Sequence, residues 1–456
     1  MDSSSSLDNK TLMDYATYMM ANCRTPELVS AHNDITSYPT NRLGNSCIAP
    51  VTALRGWGLL SLMAAGKTRE EVIRSTAKIL GCQKDNLHHV LNSVDSRLTG
   101  VTLYFSDHAK ESVLEEEIVA AAANYSTTSA VSSPLRQFCF GCDMNGMRTM
   151  YHINRAVREA TNDRVQYVVR EEHAPNRGAM AVLISAVDCT FFWKQERSAE
   201  VKRKTFYGDG VKTTVKGWLV TGNFYYKRDP KGLALRLDSH QPNLHLILYI
   251  PTTIGQAGPS ALEVLEAGKS LVPAQTEIRV FVPQFSVATP LALRDCSREG
   301  PYNMKRVFDR EKSDLTGYLQ KFHNFCPRIT TLWDHYHKAV FKIVVGAEEK
   351  PVPKKEPRLQ TRFTESCSSF IEKTDLREQT FKYREDHLPD LVTLSGQQTE
   401  KEDEVAADIS FDEPFFFLLV QDIHDQPLVH CFGRFTNTEA VNVNHVPNER
   451  SKSVKV

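Results

Sequence analysis

The chain has 456 residues, of which 41% are hydrophobic and 9% aromatic, a proportion that supports a large buried core. Lysine plus arginine and aspartate plus glutamate number 55 each, so the formal net charge is zero. These values exclude a chain that is disordered throughout, and they give no electrostatic reason to expect binding to nucleic acid or to an anionic membrane.

The N-terminal residues, MDSSSSLDNK, are polar and acidic where a signal peptide has a basic segment followed by an apolar one. The richest apolar run, Phe415 to Val420, is far shorter than the roughly 18 residues of a membrane span. We therefore expect a cytoplasmic or leaderless protein, with an extracellular location as the alternative. Scattered cysteines such as Cys47 and Cys189 are then expected to be buried thiols rather than parts of a disulfide framework.

Amphipathic helices and a short strand are predicted in the first part of the chain. Residues 10–23 place apolar side chains at the spacing of one helical face. Residues 45–53 predict a short strand that leads into an apolar helix ending near Met63. A further helix is predicted over 68–80, with Thr68 as its N-terminal cap.

Strands dominate the rest of the chain. Residues 149–168 have helix periodicity, whereas residues 179–193 predict a long buried strand. The other predicted strands are 213–226, 233–238, 244–251, 276–287, 336–345, 411–420 and 427–435.

A polar segment, residues 347–408, interrupts this pattern. It has four prolines within 351–389 and an acidic cluster from Glu400 to Glu404. Connections inside a compact domain are usually short, and long ones tend to be functional. Because predicted strands flank the segment on both sides, we expect a long excursion from one domain rather than a linker between two.

Six regions of the chain, taken in order, resemble motifs of the serpin family. No single region is specific, but in this order and spacing they span about residues 45–437. The regions are NSCIAPVTALRGWGLLSLMAAGKTREEVIRSTAKILG (45–81), INRAVREATNDRVQYVV (153–169), LISAVDCTFFW (183–193), VPQFSV (282–287), HKAVFKIV (337–344), and the closing pair FDEPFFFLLV (411–420) and FGRFTN (432–437).

The resemblance implies an α+β fold, a single serpin-like domain over residues 1–440 with three β-sheets and about eight or nine helices. Residues 347–408 would form an extended reactive-centre loop within it, followed at the end of the chain by a polar tail, 441–456. Serpins usually inhibit proteases and are not enzymes: the protease cleaves the loop, and the freed loop inserts as a strand into the central sheet. The resemblance therefore implies a protein partner, with no catalytic residue, cofactor or metal.

Insertion requires small, uncharged side chains at alternate positions and no proline at the start of the loop. The family pattern there is roughly E-E-G-T-E-A-A-A-A-T, whereas this chain reads VVGAEEKPVPKKEPRLQ (344–360). Charges would lie against the core, and prolines would remove backbone donors. We therefore predict a hinge that does not insert. By resemblance the hinge residues are Gly346, Ala347, Glu348, Glu349, Lys350 and Pro351.

The family also has a small polar cluster in its core, with two serines, an asparagine and a histidine, that supports opening of the central sheet. By resemblance these positions fall at Ala49, Thr52, Ser185 and His337. Only His337 matches outright, and Thr52 is a near replacement. Trp193 matches the family's tryptophan near the top of the sheet. We expect Thr52, Ser185, Trp193 and His337 to mark the switch region.

Because the polar segment is so long, the sequence does not determine which of its bonds is the scissile bond. Counting back from Phe411 gives Asp403 and Glu404, which suit few proteases. Four arginines of the segment are equally exposed candidates: Arg358, Arg362, Arg377 and Arg384.

Two further groups could carry chemistry. Cys139 and Cys142 form a C-x-x-C motif, but the βαβ context of a redox motif and the second pair of a zinc site are both missing, so incidental thiols are expected. His335 and His337 alternate along a predicted strand beside Asp334. A core histidine, His337, next to a surface one, His335, is preferred there over a metal site.

Three functions remain open. The first is a non-inhibitory serpin that binds a partner through its surface or its long loop. The second is a working inhibitor of a serine or cysteine endopeptidase whose hinge begins later, where residues 364–370 (TESCSSF) are small enough to insert. The third is an enzyme built around Cys139 and Cys142.

Overall fold

A computed structural model describes most of the chain between Asn9 and Thr436. All the described residues belong to one unit, which is drawn from Met1–Glu348 and Ala406–Val456. The described residues are 9–22, 45–93, 98–107, 115–125, 134–143, 145–194, 199–208, 211–252, 258–317, 331–346, 408–423 and 426–436.

Eight α-helices lie within the described residues, and all of them except α6 contribute side chains to one apolar cluster. They are α1 (Asn9–Asn22), α2 (Pro50–Met63), α3 (Gly66–Leu80), α4 (Leu87–Ser93), α5 (Glu116–Ala123), α6 (Met147–Ala160), α7 (Ala261–Lys269) and α8 (Arg294–Glu299).

The described strands form three sheets. In chain order they are β1 (Ser46–Ile48), β2 (Thr99–Asp107), β3 (Leu135–Phe138), β4 (Ala181–Trp193), β5 (Glu200–Gly208), β6 (Val211–Gly222), β7 (Tyr225–Asp229), β8 (Gly232–Asp238), β9 (Leu244–Pro251), β10 (Val272–Pro273), β11 (Ile278–Pro283), β12 (Ser286–Ala292), β13 (Leu332–Val345), β14 (Ile409–Ser410), β15 (Phe415–Ile423) and β16 (Gln426–Phe435). The central sheet has the order β12-β13-β4-β2-β3, the seven-stranded sheet β1-β16-β15-β9-β8-β7-β10, and the four-stranded sheet β14-β11-β6-β5.

Apolar clusters cover both faces of the central sheet. Ile184 of β4 packs in a cluster with Ile153 and Val157 of α6. Val187 of the same strand faces the other way, into a cluster shared with the four-stranded and seven-stranded sheets that also contains Phe341 of β13. The middle of the central sheet is therefore buried on both sides.

Two predicted helices differ from the structure in their ends. Thr68 is not a cap, because α3 already begins at Gly66, and the Thr68 hydroxyl instead accepts a hydrogen bond from the N–H of Asp314 at 3.0 Å. The helix predicted over 149–168 ends at Ala160, because Asn162 and Asp163 adopt left-handed conformations, with φ of 50° and 63°.

The strand predicted over 276–287 is in fact two strands in two sheets. β11 ends at Pro283, which has no backbone N–H for a further ladder bond, and β12 begins at Ser286 in the central sheet. The hydrophobic periodicity of β11 and β12 is the same. It therefore does not indicate that the chain passes from one sheet to another between them. The strand predicted over 411–420 likewise begins later, at Phe415, after Pro414.

Candidate functional site

The predicted switch residues Ser185 and His337 meet in the middle of the central sheet. They are direct partners in the parallel pairing of β4 with β13. Ser185 Oγ lies 2.8 Å from Nε2 of His335 and 2.9 Å from Nδ1 of His337. All three side chains are fully buried. One serine hydroxyl therefore links two histidines away from solvent, and we call these three residues the polar cluster.

A backbone amide fixes the position of the proton on His337. The N–H of Ala49, just before α2, donates to Nε2 of His337 at 3.2 Å, so the proton of that neutral ring lies on Nδ1. His337 Nδ1–H then donates to Ser185 Oγ, and a second hydrogen bond joins this oxygen to Nε2 of His335. Nδ1 of His335 is buried, and the described residues provide no hydrogen-bond partner for it.

The prediction that His335 lies on the surface is wrong. Its ring packs edge-to-face against Trp57 of α2, with ring centroids 4.8 Å apart. Gly56 of the same helix leaves the necessary space, because a Cβ at this position would lie 2.7 Å from Nε2 of His335. The strand period indicates the burial of His335, since side chains two positions apart share a face and the resemblance places His337 in the core.

The two switch positions at the start of α2, Ala49 and Thr52, contribute less to the hydrogen bonding of the polar cluster than Ser185 and His337 in the sheet do. Ala49 has no hydroxyl group and takes part through its backbone N–H alone. Thr52 is half-buried in the first turn of α2. The hydrogen bond that ties α2 to the polar cluster therefore comes from the main chain, and Thr52 stays a predicted switch position.

Trp193 lies at the far end of β4, away from the polar cluster. Its ring is buried against Trp218 and Phe224, with centroid distances of 6.5 and 6.4 Å. Its carbonyl oxygen accepts a hydrogen bond from the N–H of Gly346 at 3.4 Å. The hydrogen bond between Trp193 and Gly346 thus lies at the end of the central sheet where the chain leaves β13.

Gly346 is the one predicted hinge residue that the structure describes. Its φ of +108° favours glycine, and a Cβ there would meet no atom within 4 Å. Residues 347–351, the tail 441–456 and all the candidate scissile residues lie outside the described residues, so their roles stay predictions. The scissile candidates are Arg358, Arg362, Arg377, Arg384, Asp403 and Glu404.

Burial shifts the pKa values of the ionisable groups in and beside the polar cluster. It lowers the pKa of His337 to about 3 and holds the pKa of His335 well below its ordinary value, an effect to which the neighbouring His337 adds. Burial also raises the pKa of Asp334 to about 7, although backbone N–H groups donate to this carboxyl. The ammonium of Lys338 lies 3.4 Å from the ring centroid of Tyr167, and burial lowers its pKa to about 7.

Acidification is expected to destabilise the fold through the two histidines. Their folded pKa values lie below that of an unfolded histidine, so the unfolded chain binds more protons, and stability falls as the pH drops from about 6.5 toward about 3. Each neutral histidine contributes a slope of about 1.4 kcal/mol per pH unit in this range. Asp334 acts in the opposite sense, because its raised pKa means that the folded state binds the proton more tightly.

The variant His335→Gln isolates one of these contributions, because glutamine keeps an amide N–H and does not titrate. The free energy of unfolding, measured with urea at about pH 6 and about pH 5, should fall less steeply in this variant, by about 1.4 kcal/mol per pH unit. The control variant His89→Gln alters an exposed histidine and should keep the slope of the unaltered chain. An unchanged slope in His335→Gln would show that His335 is protonated in the folded state.

The remaining candidate groups form no metal site in the part of the chain that the structure describes. No set of three or more His, Cys, Asp or Glu side chains is arranged there to hold a metal ion. Cys139 is half-buried, and Cys142 ends a short 3-10 turn, Phe140–Cys142. The prediction that Cys47 and Cys189 are buried thiols is confirmed. None of the described helices has the length and apolar character of a membrane span.

The sequence model of the family Serpin (serine protease inhibitor) matches residues 36–438, which is nearly the whole chain. The chain belongs to the serpin family. The predicted fold class, an α+β serpin domain with three sheets, is confirmed, and serpins are not enzymes.

Solved serpin structures share this fold at low sequence identity. Native protease nexin-1 with heparin has a TM-score of 0.62 and 14% identity, over 94% of this chain and 99% of that chain. Serpin-12 of Manduca sexta has a TM-score of 0.60 and 14% identity, over 94% and 98% of the two chains. The thermophilic serpin tengpin in its native state has a TM-score of 0.60 and 14% identity, over 96% of each chain. No curated protein matches the sequence.

Proposed function

We propose that this serpin binds a protein partner without inserting its loop, and that it does not inhibit proteases by the spring mechanism. One observation carries the proposal. The middle of the ladder between β4 and β13 is buried on both faces, one face stays buried as far as Ile343, and the loop that leaves β13 begins with charged residues and prolines.

A loop that folds back from the end of β13 has one place to enter the central sheet. β13 has β12 on one side and β4 on the other. β12 is already antiparallel to β13, whereas β4 is parallel to it. A strand that runs back from Gly346 between β13 and β4 would be antiparallel to both, which is the more stable pairing. The backbone therefore favours insertion at this ladder, and the side chains decide whether it occurs.

An inserted strand would point alternate side chains to the two faces of the sheet. One face near the end of β13 is open, because Lys342 is exposed there. The opposite face is closed, because Phe341 and Ile343 are fully buried in the core. Charged residues can therefore be accommodated on one face only.

Neither register of the loop keeps charge away from the closed face. If even-numbered positions point inward, Glu348 and Lys350 enter the core. If odd-numbered positions point inward, Glu349 and Lys355 enter it, with Pro351 between them. An unpaired buried charge costs several kcal/mol, and each proline removes a ladder donor. The same conclusion thus follows whichever register the loop adopts.

The partner is proposed to be a protein that recognises the surface of the domain or the segment 347–408. Protease nexin-1 is a related fold solved with heparin. The zero formal net charge of the present chain gives no comparable reason to expect a polyanion. A protein ligand is the partner that a long segment of mixed charge fits best.

A working inhibitor of an endopeptidase is the second candidate, and one observation favours it. Ser185 and His337 are hydrogen-bonded across the ladder that would open, as a family switch would require. In this case the hinge would begin later, at residues 364–370, where small side chains predominate. This segment would then insert instead of residues 348–357.

Incubation with a panel of serine and cysteine endopeptidases separates the two candidates. We expect cleavage within 347–408 and no covalent complex, because the acyl-enzyme hydrolyses when the loop does not insert. The samples are analysed by gel electrophoresis in SDS, next to an inhibitory serpin that traps the same proteases. A detergent-stable band at the summed mass of the chain and any protease would refute the proposal and establish the inhibitor.

A further inference from the structure

One face of the hairpin formed by β5 and β6 is exposed and positively charged. Residues directly opposite each other in an antiparallel pair share a face, so the register assigns seven exposed or half-buried side chains to this face. It ends at the pair Val201–Trp218, where Trp218 is buried against Trp193. We call the following seven residues the hairpin face: Val201, Arg203, Thr205 and Tyr207 of β5, and Lys212, Thr214 and Lys216 of β6. Three of them are cations, and none is a carboxylate.

The side chains of the hairpin face lie in close pairs. The N–H of Tyr207 donates to the carbonyl oxygen of Asp412 at 2.7 Å, away from β6. Tyr207 and Lys212 are therefore a non-hydrogen-bonded pair, and so are the pairs two and four positions along the hairpin. The two Cα atoms of such a pair are about 4.5 Å apart. Arg203 and Lys216, which form the pair four positions along, thus hold two positive charges directly opposite each other.

The opposite face of the same hairpin has matched charges. Nζ of Lys202 lies 3.4 Å from a carboxylate oxygen of Glu200, and Nζ of Lys204 lies 2.8 Å from a carboxylate oxygen of Asp412. The two lysines of the hairpin face have no ion pair within the part of the chain that the structure describes. Acids of the chain therefore neutralise the lysines on one side of the hairpin and leave those of the hairpin face available to a ligand.

The side chains beside these cations indicate a protein ligand. Val201 and Tyr207, towards the two ends of the hairpin face, are 54% and 52% exposed. Tyrosine and arginine are enriched among the residues that contribute most to protein interfaces. A sulfated or phosphorylated polymer would match the cations but would leave both apolar surfaces exposed to water. A protein segment with carboxylates can match the charges and cover the apolar surfaces as well.

We propose that the hairpin face binds an extended acidic segment of the protein partner, in which two carboxylates lie four residues apart. The inference rests on the proposed function, because it names the surface and the chemistry by which that partner is bound. The first carboxylate lies between Arg203 and Lys216. The second lies beside Lys212, whose ammonium is 5.4 Å from the ring centroid of Tyr207.

The positions of the cations determine the spacing of the two acids. Arg203 and Tyr207 are four residues apart on β5, which is about 13 Å along a strand. An extended partner segment that runs along the hairpin has the same rise, and its residues i, i+2 and i+4 point to one side. Acids at i and i+4 then meet the two cationic positions, while residue i+2 meets the hydroxyl groups of Thr205 and Thr214. Acids at i and i+3 point to opposite sides, so only one of them is bound.

Fluorescence polarisation with the full-length chain and a labelled nine-residue peptide tests the proposal. The peptide has glutamate at positions 3 and 7 and serine, threonine or valine elsewhere. We expect saturable binding, and binding weaker by about fivefold or more for a peptide of the same charge with glutamate at positions 3 and 6. The variant Lys216→Glu should raise the Kd by about tenfold, because it places a carboxylate opposite the first acid. The control Lys231→Glu reverses an exposed lysine in the turn between β7 and β8 and should leave the Kd unchanged.

Several outcomes would overturn the proposal. They are the absence of saturable binding, an equal Kd for the two peptides, and an unchanged Kd in Lys216→Glu with an unaltered Tm. A heparin fragment that binds the hairpin face more tightly than the peptide would assign the face to a polysaccharide instead. The acidic cluster of the chain itself is tested with a variant that carries Glu400→Gln, Glu402→Gln, Asp403→Asn and Glu404→Gln. This variant should keep the same Kd, and tighter binding would show that the chain's own segment occupies the face.

This experiment and the incubation with proteases fail independently. A detergent-stable complex with a protease would refute the proposed function and leave peptide binding at the hairpin face intact. Loss of peptide binding would overturn the present inference alone, because cleavage of segment 347–408 without a covalent complex does not depend on the hairpin face.

Discussion

Replacement of residues 348–357 by threonine and alanine is expected to give a chain whose Tm rises by tens of degrees after cleavage of its loop. The replaced residues include Glu348, Lys350 and Pro351, which would otherwise meet the buried face of the central sheet or leave a gap in its hydrogen bonds. Small neutral side chains remove both obstacles. The cleaved loop can then add antiparallel hydrogen bonds to both β4 and β13, and the folded state gains the strand that the native sheet lacks.

The experiment uses limited digestion with trypsin, since Arg358 and Arg362 follow the replaced residues directly. A matched control carries the same number of threonine and alanine substitutions in residues 376–385, outside the hinge. The control should show no rise in Tm after cleavage. If the hinge variant also shows none, the hinge residues are not what prevents insertion, and the cause lies elsewhere, for example in the alanine at position 49.

Phe341→Ala should lower the free energy of unfolding by about 3–5 kcal/mol, the usual cost of removing a fully buried phenylalanine. The ring of Phe341 is completely buried and lies between two others. Its centroid is 5.4 Å from that of Phe285 and 4.4 Å from that of Phe417, so it joins β13 of the central sheet to β15 of the seven-stranded sheet. The truncation leaves a cavity where sheets from two parts of the chain pack together.

Urea unfolding monitored by circular dichroism measures this loss. The control Val201→Ala truncates a side chain that is 54% exposed and should change the free energy of unfolding by less than about 0.5 kcal/mol. A loss of less than about 1 kcal/mol in Phe341→Ala would mean that neighbouring side chains collapse into the cavity, and that the aromatic contact between the two sheets contributes little.

Local pattern was enough to predict most of the strands but not their partners. The run at 179–193 contains the whole of β4, because a strand buried on both faces is apolar along its length. The run at 276–287 has the same character, yet it contributes to two sheets. Which sheet a strand joins depends on residues far away in the chain, so periodicity alone could not reveal the break after Pro283.

The residues of the candidate site could be predicted where single positions of the sequence resemble the family. Contacts that depend on the folded backbone could not. Ser185 and His337 were placed by resemblance, and they are paired in the central sheet. The donor to His337 is the backbone of Ala49, which any residue except proline could supply, so the sequence carries no mark of it.

Thermal unfolding of the unaltered chain before and after cleavage within residues 347–408 tests the central claim most directly. We expect the same Tm in both samples, because a charged and proline-containing hinge keeps the cleaved loop out of the ladder between β4 and β13. A rise of tens of degrees after cleavage would contradict this, since it would mean that the loop inserts and that the fold retains its stored free energy.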